Sequence, residues 1–428
     1  MIKLLIFADD LTGSLDVSTI FQKFSPVLKI CDSMDYDALF DLPSESSVLI
    51  VDTETRHADK DSAYKLVYGI ASAAKEHGVP YFFKKTDSVM RGNIGAELAA
   101  VSDAFGELMH YCPASPVFGR ITAGSVQYVD GVPVAESAFG ADPFSPVLHS
   151  NVYELIEEQS PSDNIRVYDA QKDEDFESVF AEIKNSGSIS LLGGCAGFAS
   201  YLASDPYYED LVASENGTAE ALSEYPEISK LAVISGSIND VTLSQLEDAE
   251  SRGVKRYTLT ESKRLLGVNV RVIDQWLSES ACEKVCIFDC GRPNPGALLD
   301  ETRERVCDNI AEMGKNLLER GLADSCYGSM PGNNTSCSGT VGCPVNNGSL
   351  SGNNASWGSL ALFVTGGDTL IAFLRKCGIS EIRTLAELMP CIVLSSADYR
   401  GKPLYFITKS GGIGSPSIVT DCAEMLMR

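Results

Sequence analysis

Lys84-Lys85-Thr86-Asp87-Ser88-Val89-Met90-Arg91-Gly92-Asn93 follows an apolar run at 79–83 and precedes apolar residues at positions 94, 98, 101 and 105. The run predicts a buried strand, and the spacing after it predicts a helix that Asn93 is expected to cap. A charged strand-to-helix turn of this kind lies at the edge of a parallel sheet where ligands bind. Its cations, carboxylate and hydroxyls suit a small, hydroxylated anion.

The N-terminus repeats this pattern, since Asp9 and Asp10 follow an apolar run at 2–7 and precede a helical pattern. Two adjacent carboxylates at a strand end could bind hydroxyls, hold a metal ion or abstract a proton. The structural alternative is that Asp10 or Thr12 only caps the helix. Because adjacent residues at a strand end point in different directions, we expect one aspartate to face the substrate and the other to cap the helix. We favour Asp10 for the first role.

Composition limits the class of protein. A chain of 428 residues with 44% hydrophobic residues is expected to form two domains. Its net charge of -25 argues against nucleic acid or an anionic membrane as partner. No run of 18 apolar residues predicts a membrane span, and the N-terminus does not resemble a signal peptide. Thirteen scattered cysteines without a CxxC pair favour a reducing compartment, and we expect a cytoplasmic protein.

Strand-like and helix-like segments alternate through most of the chain, which predicts an α/β protein. We expect two domains, at 1–220 and 230–428, each a mostly parallel sheet flanked by helices. Asp130-Gly131 between apolar runs predicts a β-hairpin flap in the first domain. Residues 324–359, rich in Gly, Asn, Ser and Cys, are expected to form a polar surface insertion in the second. The predicted strands are 2–7, 48–52, 79–84, 165–169, 188–192, 232–234, 285–289, 360–365 and 404–408.

Three strand ends in the second half open into turns of small residues, Ser235-Gly236-Ser237, Gly366-Gly367-Asp368-Thr369 and Ser410-Gly411-Gly412. Glycine lets the backbone approach a phosphate, and a helix N-terminus adds partial positive charge. Thr369 could donate a hydroxyl, while Asp368 could hold magnesium or cap a helix. Tight turns and caps could explain any one of the three. Neither GxxxxGK[ST] nor GxGxxG occurs, so the common nucleotide motifs do not apply.

Taken in order, these motifs resemble those of the four-carbon acid sugar kinase family. The matching segments are ADDLTG at 8–13, KTDSVMRGN at 85–93, GR at 119–120 with the hairpin at 128–133, DP at 142–143, SGS at 235–237, GGDT at 366–369 and KSGGIG at 409–414. Val89-Met90 stands where the family has Thr-Leu, and Pro390-Cys391 stands where it has Pro-Gly. The insertion at 324–359 is an addition to the family pattern.

The resemblance implies a phosphotransferase that uses ATP and Mg²⁺ to phosphorylate a hydroxyl of threonate, erythronate or 3-oxo-tetronate. It implies that the first domain binds the acid and the second binds ATP. The candidate catalytic residues are Asp9, Asp10 and Asp87. The candidates for substrate binding are Lys85, Ser88, Arg91, Gly92 and Asn93, with Arg91 pairing with the carboxylate. The candidates for ATP binding are Ser235, Ser237, Gly366, Gly367, Asp368, Thr369, Ser410, Gly411 and Gly412; magnesium ligands stay open.

Two alternatives from other classes remain at this point. A non-catalytic acid-sugar-binding or sensor protein would keep Arg91 and the first-half aspartates but would not need three glycine turns. An oxidoreductase would need a nicotinamide fingerprint, which the sequence lacks. The expected partners are thus a small sugar acid and ATP, and the chain could also form a homo-oligomer.

Overall fold

The computed structural model describes residues 2–32, 35–43, 46–142, 145–214, 225–280, 283–292, 300–324, 360–409 and 412–427. Ser410, Gly411 and nearly all of the insertion predicted at 324–359 lie outside the described residues. The predictions made for those positions therefore stay predictions.

The first half of the chain alternates strands and helices. Its strands are β1 (Leu4–Ala8), β2 (Val27–Ile30), β3 (Val48–Asp52), β4 (Tyr81–Lys85), β5 (Met109–Cys112), β6 (Arg120–Ala123), β7 (Val126–Val129), β8 (Val132–Pro133), β9 (Ile165–Val167) and β10 (Leu191–Gly194). Its helices are α1 (Leu11–Ile20), α2 (Lys60–Glu76), α3 (Ile94–Phe105), α4 (Val152–Gln159), α5 (Asp175–Ser186), α6 (Ala196–Ser204) and α7 (Pro206–Val212). The five strands predicted here are confirmed to within about three residues, while the short strands β2 and β5 were missed.

The second half follows the same alternation and adds a long antiparallel hairpin. Its strands are β11 (Lys230–Ser235), β12 (Lys255–Thr258), β13 (Val285–Asp289), β14 (Leu360–Thr365), β15 (Glu381–Met389), β16 (Ile392–Tyr399) and β17 (Lys402–Lys409). Its helices are α8 (Asp240–Ser251), α9 (Glu261–Leu266), α10 (Val270–Glu279), α11 (Asp300–Asp324), α12 (Gly367–Cys377) and α13 (Ile418–Leu426). The four strands predicted here are confirmed, whereas β12, β15 and β16 were missed.

Strands from both halves join into one 14-stranded sheet, in the order β12-β13-β11-β14-β17-β16-β15-β2-β3-β1-β4-β10-β5-β9. The strands from β2 to β9 are parallel to one another, as are those from β12 to β17. The hairpin β15–β16 connects the two parallel sets through antiparallel pairs with β2 and β17. The α/β class is confirmed. The two sheets that were predicted as separate are the two ends of a single sheet. The boundary near 220–230 stays a prediction.

The parallel strands are apolar on both faces because helices cover both sides of the sheet. Every residue of β1 is buried. Leu4 and Ile6 belong to one hydrophobic core, while Leu5 and Phe7 belong to the core on the opposite face. This alternation follows from the two-residue period of a strand. It fixes the register of β1, whose carboxyl end carries the acidic pair.

The predicted flap is a separate three-stranded sheet made of β6, β7 and β8. Asp130 and Gly131 connect β7 to β8 with φ angles of +50° and +83°. Two successive residues with positive φ are typical of a type I′ hairpin turn, so the Asp-Gly signal is confirmed. The flap reaches the turn after β4 through Gln127, whose side chain donates to the carbonyl of Ser88 at 3.2 Å.

Candidate active site

The carboxyl ends of β1, β3 and β4 lie side by side. Ala8 at the end of β1 is level with Asp52 of β3 and with Lys85 of β4. The turns that follow therefore bring the acidic pair, the segment 53–56 and the segment 86–93 to one edge of the sheet. The two charged turns found in the sequence thus meet, together with a third that was not singled out.

Arg56, from this third turn, binds both members of the acidic pair. Its guanidinium donates to the two oxygens of Asp9 at 2.9 and 3.0 Å and to those of Asp10 at 2.6 and 2.9 Å. Its Nη2 atom also lies 3.8 Å from Oδ1 of Asp87. One planar cation thereby holds two carboxylates in bidentate contacts and approaches the third.

Two further residues of the turn after β3 hold the turn after β1. The hydroxyl of Thr53 donates to the carbonyl of Ala8 at 2.9 Å. Glu54 accepts from the amide of Leu11 at 3.0 Å, and its backbone has a φ of +48°, which is uncommon for a residue with a side chain. Burial and the neighbouring charge of Asp10 raise the pKa of Glu54 to about 7. The acidic turn is therefore held by a neighbouring loop that bears backbone strain.

Asp9 and Asp87 are kept ionised by their neighbours. Burial by itself would raise the pKa of Asp9, but Arg56 and Lys84 hold it below its ordinary value. Burial likewise opposes ionisation of Asp87, yet Arg56 and Arg91 hold its pKa well below the usual range. Carboxylates with lowered pKa values are weak proton acceptors near neutral pH. These two residues are therefore poorly suited to act as a general base.

Asp10 combines the two roles that we expected the acidic pair to divide. Its Oδ1 atom accepts from the amide of Gly13 at 2.9 Å, which caps α1. Its side chain is 25% exposed and lines the cavity described below, whereas that of Asp9 is 4% exposed. The expected division of labour is thus wrong, because Asp10 both caps the helix and faces the cavity.

Arg91 is already paired with a carboxylate. Its guanidinium donates to both oxygens of Asp87, at 3.1 and 2.9 Å, and lies 3.9 Å from Asp142. The following Gly92 has a φ of +89°, and a Cβ atom at this position would lie 3.2 Å from Oδ2 of Asp9. Gly92 thus permits the close contact between the two charged turns, while Arg91 orients Asp87.

Asn93 stands at the N-cap position of α3 but does not cap it through its side chain. The side-chain amide donates instead to the carbonyls of Thr55 and Ala58, both at 2.8 Å. Asn93 therefore ties the turn after β4 to the loop after β3, and the prediction of a side-chain cap is wrong. Ser88, another candidate, lines the cavity.

The two lysines of the segment face different surroundings. Lys84 is buried and forms a 2.5 Å ion pair with Glu97 of α3. Lys85 is also buried, but it lines the cavity. Adjacent strand residues point to opposite faces of the sheet, which explains the difference.

In the second half, the turn after β11 packs against the start of α12. Ser235 is fully buried and its hydroxyl accepts from that of Thr365 at 2.8 Å. A Cβ atom on Gly236 would lie 1.9 Å from the hydroxyl of Thr369, which is itself buried. Ser235 and Thr369 thus connect the two turns rather than line the cavity. Ser237 donates to the hydroxyl of Thr242 at 3.2 Å.

The turn after β14 presents glycine backbone. Gly366 has a φ of +99°. Gly367 begins α12, and the nearest atom to a Cβ atom added there would be the Thr12 hydroxyl at 3.1 Å. The conformation that favours glycine is therefore at Gly366. Asp368 is half-exposed and pairs with Arg303 at 2.9 Å. Gly412 lies near Asn239, whose side-chain nitrogen would be 3.8 Å from an added Cβ atom.

Both halves of the chain line one cavity of about 460 Å³. Its residues from the first half include Asp10, Arg56, Lys85, Asp87, Ser88 and Arg91, and those from the second half include Gly366, Gly367, Thr408 and Lys409. A neighbouring cavity of about 250 Å³ is lined by Asp9, Arg91, Gly367, Asp368 and Arg303, among others. Several acid-binding candidates and the glycine turn after β14 therefore line the same cavity.

Lys409 is a buried cation of the second half that lines the cavity. It ends β17, and its ammonium group donates to the Thr242 hydroxyl and the Ile413 carbonyl, both at 3.2 Å. Burial lowers its pKa to about 8. Beside the glycine turn at 366–367, a lysine in this position can neutralise a phosphate group.

Sequence reasoning missed Arg56 and Glu54 as members of the site. Both follow the apolar run at 48–52, in the segment Asp52-Thr53-Glu54-Thr55-Arg56, so the rule that charged strand ends meet at one edge could have found them. Arg120 of the flap also lines the cavity. Only its place in the GR motif pointed to it.

The described part of the chain has no group of three or more His, Cys, Asp or Glu residues suited to hold a metal ion. Mg²⁺ in phosphoryl-transfer sites commonly needs just one or two carboxylates, with substrate phosphates and water completing its shell. Asp368, half-exposed beside the glycine turn, fits that smaller requirement.

Two segments of the chain match models of known protein domains. Residues 4–164 match the model of a sugar-binding N-terminal domain, and residues 355–419 match that of a nucleotide-binding C-terminal domain. The chain thus combines a segment similar to sugar-binding domains with a segment similar to nucleotide-binding domains. Together with the curated relatives described next, these matches confirm the resemblance to the four-carbon acid sugar kinases.

Three curated relatives illustrate the similarity. The chain is 26% identical to a D-threonate kinase of Salmonella typhimurium, over 98% of this chain and 97% of that protein. It is 22% identical to a D-erythronate kinase of Heliobacterium modesticaldum, over 100% and 98% of the two chains. It is 27% identical to a 3-oxo-tetronate kinase of Brucella melitensis, over 36% of each.

Solved structures support the fold. A Haemophilus influenzae protein superimposes with a TM-score of 0.70 at 17% identity, covering 99% of this chain and 100% of that one. A Salmonella typhimurium protein gives a TM-score of 0.72 at 17% identity, covering 99% of each. Among the helices that the structure describes, none has the length and apolar character needed to cross a membrane.

Proposed function

We propose that this sugar acid kinase transfers the γ-phosphoryl group of ATP to a hydroxyl of a four-carbon acid, namely 3-oxo-tetronate, threonate or erythronate. The observation that carries the proposal is the shared cavity, which is lined by Asp10 and Lys85 from one half and by glycine backbone and Lys409 from the other. A non-catalytic acid-binding protein would not need the lining residues that come from the second half of the chain. The relatives named above act on acids of this class.

The nucleotide half would hold the phosphates chiefly through its backbone. The amides that follow Gly366 at the start of α12 can donate to phosphate oxygens, and Lys409 can offset their charge. Magnesium, brought with ATP, would neutralise charge on the phosphates, and Asp368 is the carboxylate placed to hold it. Phosphoryl transfer then depends mainly on alignment of the acceptor hydroxyl with the phosphate.

The acid-binding half would orient the acceptor hydroxyl. Asp10 lines both cavities and is more exposed than Asp9, so it is the carboxylate best placed to receive the hydroxyl proton. Asp9 and Asp87, held ionised by arginines, would bind or orient other groups. Arg56 fixes all three relative to one another.

Purified protein incubated with ATP, Mg²⁺ and a panel of four-carbon sugar acids tests the proposal through ADP release. We expect turnover with at least one acid and little ATP hydrolysis without it. Asp10→Asn should lower kcat roughly a hundredfold while acid binding persists, since general-base loss has effects of that scale. Binding of an acid without any turnover would support a sensor instead. Full turnover by Asp10→Asn would place the base elsewhere.

A further inference from the structure

One end of the shared cavity contains a buried cation that forms no close ion pair, although Asp16 of the same cavity is near enough for Lys85 to oppose the rise in its pKa that burial causes. Lys85 is 6% exposed, and its ammonium group donates to the carbonyl of Thr86 at 3.0 Å. Among the described residues no carboxylate lies within 4.0 Å of it. Arg56 and Arg91, by contrast, are each paired with aspartates. A buried charge without a partner is costly, so a site of this kind favours an anionic ligand.

A buried hydroxyl without a hydrogen bond lies at the same end. Ser115 is fully buried and lines the cavity, and its Oγ atom has no hydrogen-bond partner in the part of the chain described here. Its polar neighbour is the thiol of Cys195, which is directed to the carbonyls of Pro113 and Ala114 at 3.1 and 3.0 Å. A buried hydroxyl that faces a cavity is available to a ligand.

The amino end of α6 adds a third donor group. Cys195 stands at the N-cap position but makes no side-chain cap, and Ala196, the first residue of the helix, lines the cavity. Amides at a helix N-terminus attract anions. The three features are adjacent. A Cβ atom on Gly197 of α6 would lie 3.0 Å from Oγ of Ser115. Lys85 is close enough to Cys195 for its charge to favour a lower pKa of the thiol, against the effect of burial.

We propose that Lys85, Ser115 and the amino end of α6 form the subsite for the carboxylate of the sugar acid. Arg120 of the flap borders the subsite, while Arg91 serves Asp87 instead. This assignment rests on the proposed function and deepens it. Arg120 lies 4.0 Å from Asp130, so Lys85 is the subsite cation without a close carboxylate, and one ammonium group matches the single charge of a carboxylate better than the roughly two charges of a phosphate. The phosphates have their own wall, with Gly366 and Lys409.

The test measures acid affinity by calorimetry without nucleotide, in variants with matched controls. Ser115→Ala should weaken acid binding roughly tenfold or more, the scale of a hydrogen bond to a charged group, and should leave ATP affinity unchanged. Ser47→Ala is the control, because Ser47 is also buried with an unpartnered hydroxyl but does not line the cavity. Lys85→Met should weaken acid binding more than Ser115→Ala does.

A second readout tests recognition of the carboxylate itself. The wild-type protein should prefer the acid to the corresponding four-carbon polyol, and Lys85→Met should lose most of that preference. Unchanged preference in Lys85→Met, or loss of acid binding in Arg91→Lys with none in Ser115→Ala, would overturn the subsite. If inorganic phosphate competes with the acid in the wild-type protein and Ser115→Ala abolishes this competition, the assignment of the subsite to a carboxylate is also overturned. If Lys85→Met does not fold, Ser115→Ala decides alone. A wild-type protein that binds no four-carbon acid would refute the proposed function instead.

Discussion

The two walls of the cavity bind charge in different ways. The wall from the first half consists of side chains, in which Arg56 holds Asp9 and Asp10 through contacts of 2.6 to 3.0 Å. The wall from the second half combines glycine backbone, with Gly366 at a φ of +99°, with apolar side chains such as Val364 and Leu370 and the buried lysine Lys409. Each arrangement suits a different ligand.

The difference follows from what each wall would have to recognise. A small sugar acid differs from its relatives in the position of hydroxyls, and fixed carboxylates and arginines can discriminate such positions. The phosphates of a nucleotide are the same in every cycle, and backbone amides at a helix N-terminus suffice to bind them. The ion-pair wall should therefore depend on side-chain identity, and the glycine wall on backbone conformation.

The largest effect is expected from Arg56→Met. Removing the guanidinium leaves Asp9 buried beside Asp10 and Asp87 without their shared cation, and breaking a buried pair in this way costs about 3–5 kcal/mol. Repulsion among the carboxylates should also displace Asp10. We expect a large fall in the urea midpoint and a loss of turnover of roughly a thousandfold, because the orientation of Asp10 and the ionisation of Asp9 both change.

Arg256→Met is a matched control for this substitution. Arg256 donates to both oxygens of Asp289 at 2.8 and 3.2 Å and is similarly buried, but it does not line the cavity. It should lower stability without raising the KM for the acid. If both variants affect the acid KM equally, the contribution of Arg56 is general stability and the comparison between the walls fails.

A smaller effect is expected from Gly366→Ala. The positive φ at Gly366 disfavours any residue with a Cβ atom, so the turn should shift and the amides at the start of α12 should lose their alignment. ATP affinity, measured by calorimetry, should fall about tenfold while acid affinity is retained. Gly378→Ala is the control, since Gly378 ends the same helix with a φ of +69° and has open space around it. Equal ATP affinity in the two variants would contradict a backbone role for Gly366.

The sequence predicted those parts of the fold that depend on local pattern. The apolar runs of β1, β3 and β14 and the Asp130-Gly131 turn were identified because each is specified by neighbouring residues. The hairpin β15–β16 was missed because β15 has no continuous apolar run and Pro390 stands between the two strands. Cys391 there adopts a φ of +63°, a conformation that glycine favours, so the hairpin turn forms despite the substitution.

The roles of the site residues could be predicted only in part, because they depend on contacts between segments that are distant in sequence. Asn93 and Ser235 were assigned from their local motifs, but tertiary partners decide their roles: Asn93 bonds to the loop after β3, and Ser235 to Thr365. The partner of the acidic pair, Arg56, lies 46 and 47 residues away in sequence. Motifs therefore located the site, while its ion pairs required the fold.

The smallest effect concerns pH and separates the two walls without altering the fold. Burial lowers the pKa of Lys409 to about 8, so the ammonium group is protonated below that pH and loses its charge above it. Affinity for ATP should therefore fall as pH rises from 7 to 9, by roughly tenfold at most, the change in protonated fraction across that interval. The arginine–carboxylate pairs keep their charges in this range, because the pKa values of Asp9 and Asp87 are lowered and that of Arg56 is raised. Lys409→Arg should remove most of the fall, since a guanidinium stays protonated throughout. If Lys409→Arg binds ATP with the same pH dependence as the wild-type protein, another group titrates, and the second wall does not depend on its buried lysine.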